Sequence, residues 1–317
     1  MIVTFSICLL CWLACYLETS GFPLSADVTI LPLWDKLCIW MSNKAVAYLC
    51  GIFFMILIAY IIQRISDIEM LIRERTRLVF ILFVLLTSTN VGALPFKEVT
   101  IVLLCLVFMI YELFNAYQLP EATGRFFNAG VLIGVAGLFM PQALWFMPLV
   151  WIGMYQFLSL SYRSFLASLI GMLTIYWFVL AWCVWTNDFS MFSSLFLSLS
   201  DFNFLSIFLV FLNYQLGFFG VALLMVVAFF HIKRDAINNR VRVRQMLSFL
   251  LNMSVWSLIL ICLYGGEMDS FLAVFYLPVS VLIAYFFENI RFRFRFLFYY
   301  FILALSAFSF IVRIWNF

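Results

Sequence analysis

The polar gaps in this chain are too short to hold more than turns and surface segments, and that limits the fold before any motif is considered. Apolar runs follow one another from end to end, and the longest polar stretch, 18–44, is a short one. Helices of about 20 apolar residues cross the roughly 30 Å hydrocarbon core of a bilayer. Two thirds of the residues are hydrophobic and a tenth are charged, against roughly half and a quarter in a soluble domain. So much apolar surface has no place to hide in water. The reading is an all-α, polytopic transmembrane helical bundle forming a single integral-membrane domain over 1–317.

Hydropathy predicts eleven spans, at 1–17, 45–63, 78–94, 99–118, 127–140, 142–160, 165–185, 204–230, 246–264, 271–287 and 296–311. If the N-terminus is inside, the inner loops carry Arg64, Arg73, Arg75, Arg77, Arg125, Arg163, Lys233, Arg234, Arg240, Arg242, Arg244, Arg291, Arg293 and Arg295. The outer side then carries only Lys36, Lys44, Lys97 and Arg313. Short cytoplasmic loops concentrate Lys and Arg, so this asymmetry orients the chain with its C-terminus outside. Glu18, Asp27, Asp35, Glu98, Asp188, Asp201, Glu267 and Asp269 fall on the outer side. The basic inner loops suit an anionic cytoplasmic leaflet and call for no nucleic-acid partner. The location that follows is a membrane, crossed many times.

Seven of the eight cysteines, Cys8, Cys11, Cys15, Cys50, Cys105, Cys183 and Cys262, lie in apolar runs, so no disulfide framework is legible. Cys8-x-x-Cys11 reads as two small hydrophobes on a lipid-facing first helix. Met1-Ile2-Val3-Thr4 lacks the basic start of a signal peptide, so the first helix is expected to stay uncleaved.

Leu33, Leu37 and Trp40 recur at i, i+4 and i+7, the spacing of a helix lying in the interface with Trp at headgroup depth. A second outer stretch, 188–201, is serine-rich. Between 127 and 160 the pattern is broken: a 14-residue apolar run, then Pro141-Gln142, then a second run. Such a helix rises about 21 Å, which predicts a short or re-entrant hairpin whose irregular tip is buried against protein. Gly130, Gly134 and Gly137 stripe the first limb, and Gly130-x-x-x-Gly134 permits close helix approach. The halves share no spacing, so an inverted repeat is not read.

Chemistry-bearing residues are few. One histidine, His231, cannot build a multi-His metal site. There is no haem, nucleotide or zinc signature. Glu112 is the one acid well within a span, an intramembrane ionisable group for which Arg125 or Asn128 is the expected partner. Asn90, Asn213, Gln215 and Asn252 are placed to bond between helices. The outer acids Asp27, Asp35, Asp188, Asp201, Glu267 and Asp269 would converge on one outward cavity if the helices bundle. A carboxylate there serves as a general base toward a hydroxyl, or holds a divalent metal beside a phosphate. The catalytic candidates are Asp27 and Asp35. Arg240-Val-Arg-Val-Arg244 and Arg291-Phe-Arg-Phe-Arg295 alternate charge with apolar side chains at the start of a span, which suits a lipid phosphate as well as snorkelling.

The run Phe127 to Pro141, then Leu149-Val-Trp-Ile-Gly153, then Ser164 to Gly171 resembles a family of uncharacterised multi-pass inner-membrane proteins of the Bacteroidota. That resemblance covers 70–175 and brings no catalytic residue with it. The layout is also loosely similar to integral-membrane glycosyltransferases of the GT-C type, with a first helix, an acidic outer segment bearing an interfacial helix, and a bundle with short hairpins. In that class an Asp of the first outer loop is the base, which implies Asp27 or Asp35 here. The 317 residues hold neither the paired-acid signature nor the C-terminal soluble domain of that class. The resemblance implies a transferase using a polyprenyl-phosphate-linked sugar on the outer face, with membrane lipids as partners. Set beside it are a non-enzymatic subunit of a larger envelope complex and a proton-coupled transporter.

Overall fold

The structure, a computed structural model, describes residues 2–18, 43–72, 77–119, 122–187, 215–235, 240–289 and 299–308, together with 189, 192, 199 and 310. The expected interfacial helix at 33–41 and the stretch 193–198 lie outside the described residues, as do Asp27, Asp35, Asp188, Asp201, Arg291, Arg293 and Arg295.

Within the described residues the chain is helical, without a β-strand. In order, the helices are α1 (Ile2–Glu18), α2 (Lys44–Ile68), α3 (Leu78–Ser88), α4 (Glu98–Asn115), α5 (Thr123–Phe139), α6 (Met147–Gln156), α7 (Tyr162–Thr186), α8 (Gln215–Asp235), α9 (Val241–Leu263), α10 (Met268–Asn289) and α11 (Tyr299–Phe308). Five of them, α2, α4, α7, α9 and α10, are long and apolar enough to cross a membrane. The run at 78–94 is not one straight helix. It stops at Ser88, only 11 residues and about 16 Å long, and a 3-10 turn over Val91–Ala93 follows. The run at 142–160 likewise narrows to α6, preceded by a 3-10 segment Pro141–Phe146.

The chain forms two compact units, 1–21 with 48–96 and 203–317, and 22–47 with 97–202. In the first, α10 is the core. Over its most apolar stretch 94% of it is buried, by α3, α8 and α9. A helix apolar all round belongs in the interior of a bundle. It carries Pro278 in mid-helix, a residue tolerated in spans because neighbouring side chains and helices re-satisfy the freed backbone.

Helix α1 packs on α3 along Thr4, Cys8 and Trp12, with Cys11 and Cys15 buried as well, while Leu9, Leu10, Leu13 and Leu17 are exposed. The cysteines are therefore buried rather than set on the lipid face. Small side chains let the two helices approach, and the leucines cover the outside. Trp12 closes the seam by donating its indole N–H to Ser88 Oγ at 2.9 Å, and Ser88 Oγ donates on to the Val84 carbonyl at 2.5 Å. Gln63 of α2 accepts from the Phe80 N–H at 3.2 Å, which satisfies one of the donors that every helix start leaves open.

In the second unit α5 runs against both α4 and α7. It starts at Thr123, earlier than expected, so its 17 residues rise about 25 Å. The return limb has six 3-10 residues at about 2 Å each and ten α residues at about 1.5 Å, about 27 Å in all. It ends where α4 ends: the Gln118 N–H donates to the Phe157 carbonyl at 2.9 Å. The hairpin thus goes out and comes back over matched lengths. Its tip residues Pro141, Gln142, Ala143 and Phe146 are buried, as irregular backbone at depth requires.

The glycine stripe faces α7. A Cβ on Gly130 would run into the Ser168 carbonyl, and one on Gly171 into that of Phe127; at Gly134 it would meet Ile175 at 3.1 Å. Gly130 opposes Ser168 and Gly134 opposes Ile175, so the two helices run parallel. Ser164 and Ser168 complete the seam on the α7 side, both fully buried. The opposite face of α7 is bare, and only 17% of its most apolar stretch is buried.

Helix ends use left-handed residues with side chains. Met70, Gln118, Leu158 and Asn187 have φ near +50 to +55°. After α2 and α6 the ladder closes on the carbonyl five residues back (Leu71 N–H to Ser66, Ser159 N–H to Met154), the Schellman pattern usually built on glycine.

Gly130→Ala should lower the thermal midpoint of the detergent-purified protein by the equivalent of roughly 1–3 kcal/mol of overpacking. Gly124, on the same helix, meets nothing within 4 Å, so Gly124→Ala should hold or raise it, by up to about 1 kcal/mol. Equal shifts in the two variants would rule out the seam. Ser88→Ala should cost about 1–3 kcal/mol by stranding the buried Trp12 N–H, which thermal unfolding followed by tryptophan fluorescence checks.

Candidate functional site

Polar side chains gather at helix ends, and three small constellations stand out. The first joins the end of α2 to the start of α9. Glu69 follows α2 with a side chain only 6% exposed, and it accepts from Arg242 Nη2 at 2.6 Å. Burial raises the Glu69 carboxyl above its ordinary value of 4.5, and the Arg242 charge and hydrogen bond pull it back part of the way. Arg242 is therefore the counter-ion that lets Glu69 stay in place. Its neighbours Arg240 and Arg244 are exposed, with Val243 buried between. Of the three arginines at this helix start, two face outward, where they can meet phosphates, and one is spent on a carboxylate.

The second constellation is Glu112. It is half-buried on α4 and accepts a hydrogen bond from Asn128 Nδ2 of α5 at 3.2 Å. Of the two partners the sequence offers, Asn128 is used; Arg125 forms no ion pair with Glu112. The Asn128 amide donor orients the Glu112 carboxylate.

The third lies where α3 ends and α10 begins. Asn90, fully buried, donates to the Asp269 carbonyl at 2.8 Å. Gly92 in the adjoining 3-10 turn packs so close that a Cβ would meet the Asp269 carboxylate. Of the acids expected to converge on an outward cavity, Glu267 and Asp269 are described, in the α9–α10 turn and the first turn of α10. There the carboxylate of Asp269 sits at a helix N-terminus, a favourable place for negative charge. Among the described residues no three His, Cys, Asp or Glu side chains come together to hold a metal ion. His231 lies on α8.

The sequence does not signal the Glu69–Arg242 pair. Both residues stand in charged turns, alike in composition to the other inner loops, and 173 positions separate them. Only α9 packing beside the end of α2 makes Glu69 buried and Arg242 its partner.

No family model matches the chain, and neither a curated protein nor a solved structure is similar to it.

Because the folded Glu69 carboxyl titrates above its unfolded counterpart, its contribution to stability is full below the ordinary glutamate range and is lost as pH rises through the folded value. Arg242→Met should push that value further up and steepen the loss toward neutral pH, whereas Arg244→Met should leave the profile unchanged. Glu69→Gln should flatten it. Thermal midpoints of the purified variants over the acid-to-neutral range check all three.

Proposed function

We propose that the protein is a multi-pass bacterial inner-membrane transferase of GT-C-like layout, using a polyprenyl-phosphate-linked sugar on the outer face. Asp27 or Asp35 would act as base toward the acceptor hydroxyl, a divalent metal being compatible with the phosphate. Five helices long and apolar enough to cross a membrane support the membrane location.

Helix direction supports the alternating topology on which this reading rests. In the first unit α1 and α3 run parallel, with Trp12 at Ser88, and α10 starts beside the end of α3 through Asn90 and Asp269. In the second unit α5 and α7 run parallel and α4 opposes them, with Glu112 at Asn128. Each relation is the one that alternating crossings require, and the arginine-rich ends suggest which side is inside. In the same way Glu69 meets Arg242 on the basic side, and Asn90 meets Asp269 on the acidic side. The chain leaves α1 and re-enters α2 at that acidic end, where the Tyr16 and Tyr48 rings lie edge to face at 5.7 Å.

A second reading, a non-enzymatic subunit of an envelope complex, is favoured by α7. Its free face presents Trp177, Phe178, Trp182 and Trp185, all exposed, an aromatic surface suited to a partner helix or to lipid. A proton-coupled transporter is the third, resting on Glu112.

Native mass spectrometry of protein gently extracted from its own membranes separates these. A polyprenyl-phosphate species should remain bound, and should be lost in Asp27→Asn or Asp35→Asn. A stoichiometric partner polypeptide without that lipid would sink the transferase in favour of the subunit. Proton-coupled flux abolished by Glu112→Gln would promote the transporter.

A further inference from the structure

Beside the α1–α3 seam lies a cleft of about 370 Å³, lined by Thr4, Phe5, Ser6 and Cys8 of α1 and by Arg77, Phe80, Ile81 and Val84. That size falls within the roughly 300–1,000 Å³ of ligand sites. Arg77 stands at one end, just before α3, and the other α3 residues follow over two turns into the apolar wall. It is exposed, and among the described residues its guanidinium has no carboxylate partner. Ser6, also exposed, adds a hydroxyl beside the wall of Phe5. The cleft therefore sets a cation at one end of an apolar wall, with the Thr4 and Ser6 residues on its α1 side.

We propose that this cleft binds one anionic glycerophospholipid, its phosphate on Arg77 and an acyl chain along Phe5, Phe80 and Ile81. The occupant follows from charge and from the medium. An acyl chain gains little by leaving other acyl chains, because lipid tails are as apolar as the cleft wall. Preference among lipids must then come from the headgroup: a guanidinium pairs with phosphate oxygens, and an anionic headgroup lacks the choline cation that opposes it in phosphatidylcholine. The binding claim stands on the cleft alone; its assignment to the cytoplasmic leaflet rests on the inside N-terminus proposed above. Arg242 is occupied by Glu69 and plays no part here.

The test uses the full-length protein in nanodiscs of equal parts phosphatidylglycerol and phosphatidylcholine, released into the mass spectrometer with its bound lipid. Wild type should retain phosphatidylglycerol over phosphatidylcholine by roughly fivefold, the factor equivalent to about 1 kcal/mol per basic residue near an anionic surface. Arg77→Gln should abolish the preference, and Arg163→Gln, an exposed arginine of the other unit, should keep it. Ile81→Trp, which fills the channel beneath an intact Arg77, should lower retention of both lipids. Equal retention of the two lipids by wild type would overturn the proposal, and so would a preference that survives Arg77→Gln. Failure here leaves the transferase reading standing, because that reading is scored on polyprenyl phosphate and on Asp27 and Asp35.

Discussion

Hydrocarbon offers backbone amides no partner, and every architectural choice in this chain answers to that fact. Helices meet it within themselves, and the places where they stop are where the sequence has to supply something else. Gln63 accepts from the open start of α3, and left-handed residues after α2 and α6 fold the last carbonyls back onto the chain. Ser88 takes the indole proton of Trp12. The 3-10 segment at Pro141–Phe146 is tolerated because its tip is buried in protein. The unusual cost is in the caps. Met70 and Leu158 occupy a conformation that glycine would adopt freely, at a penalty of roughly 1–2 kcal/mol each.

The two units solve helix association by different means. In the second, the backbones of α5 and α7 come together where Gly130, Gly134 and Gly171 leave no side chain between them. In the first, an α10 that is apolar over most of its length is enclosed by α3, α8 and α9. Without a hydrophobic force between helices in lipid, close packing and a few polar contacts have to hold both. Asn90 and the Glu69–Arg242 pair are such contacts, and each joins residues far apart in the chain. The ion pair also explains itself, since a carboxylate so buried needs its arginine.

Much of this was legible beforehand. The glycine stripe at 130, 134 and 137 announced a close approach, and Pro141-Gln142 announced the broken hairpin. Glu112 announced a partner, and Asn128 was one of two named. Other elements were misread for identifiable reasons. The apolar run at 78–94 continues past Ser88, and hydropathy does not register the turn that Asn90 makes to reach Asp269. Cys8 and Cys11 looked lipid-facing because an apolar run does not say which of its faces meets protein. Only the packing of α1 on α3 turns Cys8 and Trp12 inward and leaves the leucines outside.

By itself the sequence determined the medium, the all-helical class and the sign of charge at each end. Those follow from local quantities: run length, apolar fraction and the spacing of arginines. Tertiary structure alone decided which helix is core and which is bare, since α7 and α10 are almost equally apolar and differ only in what surrounds them. It also decided that Arg242 serves Glu69 while Arg77 faces a cleft. Pairing between distant residues depends on which helices become neighbours, and no local property of a nearly uniform apolar chain encodes that.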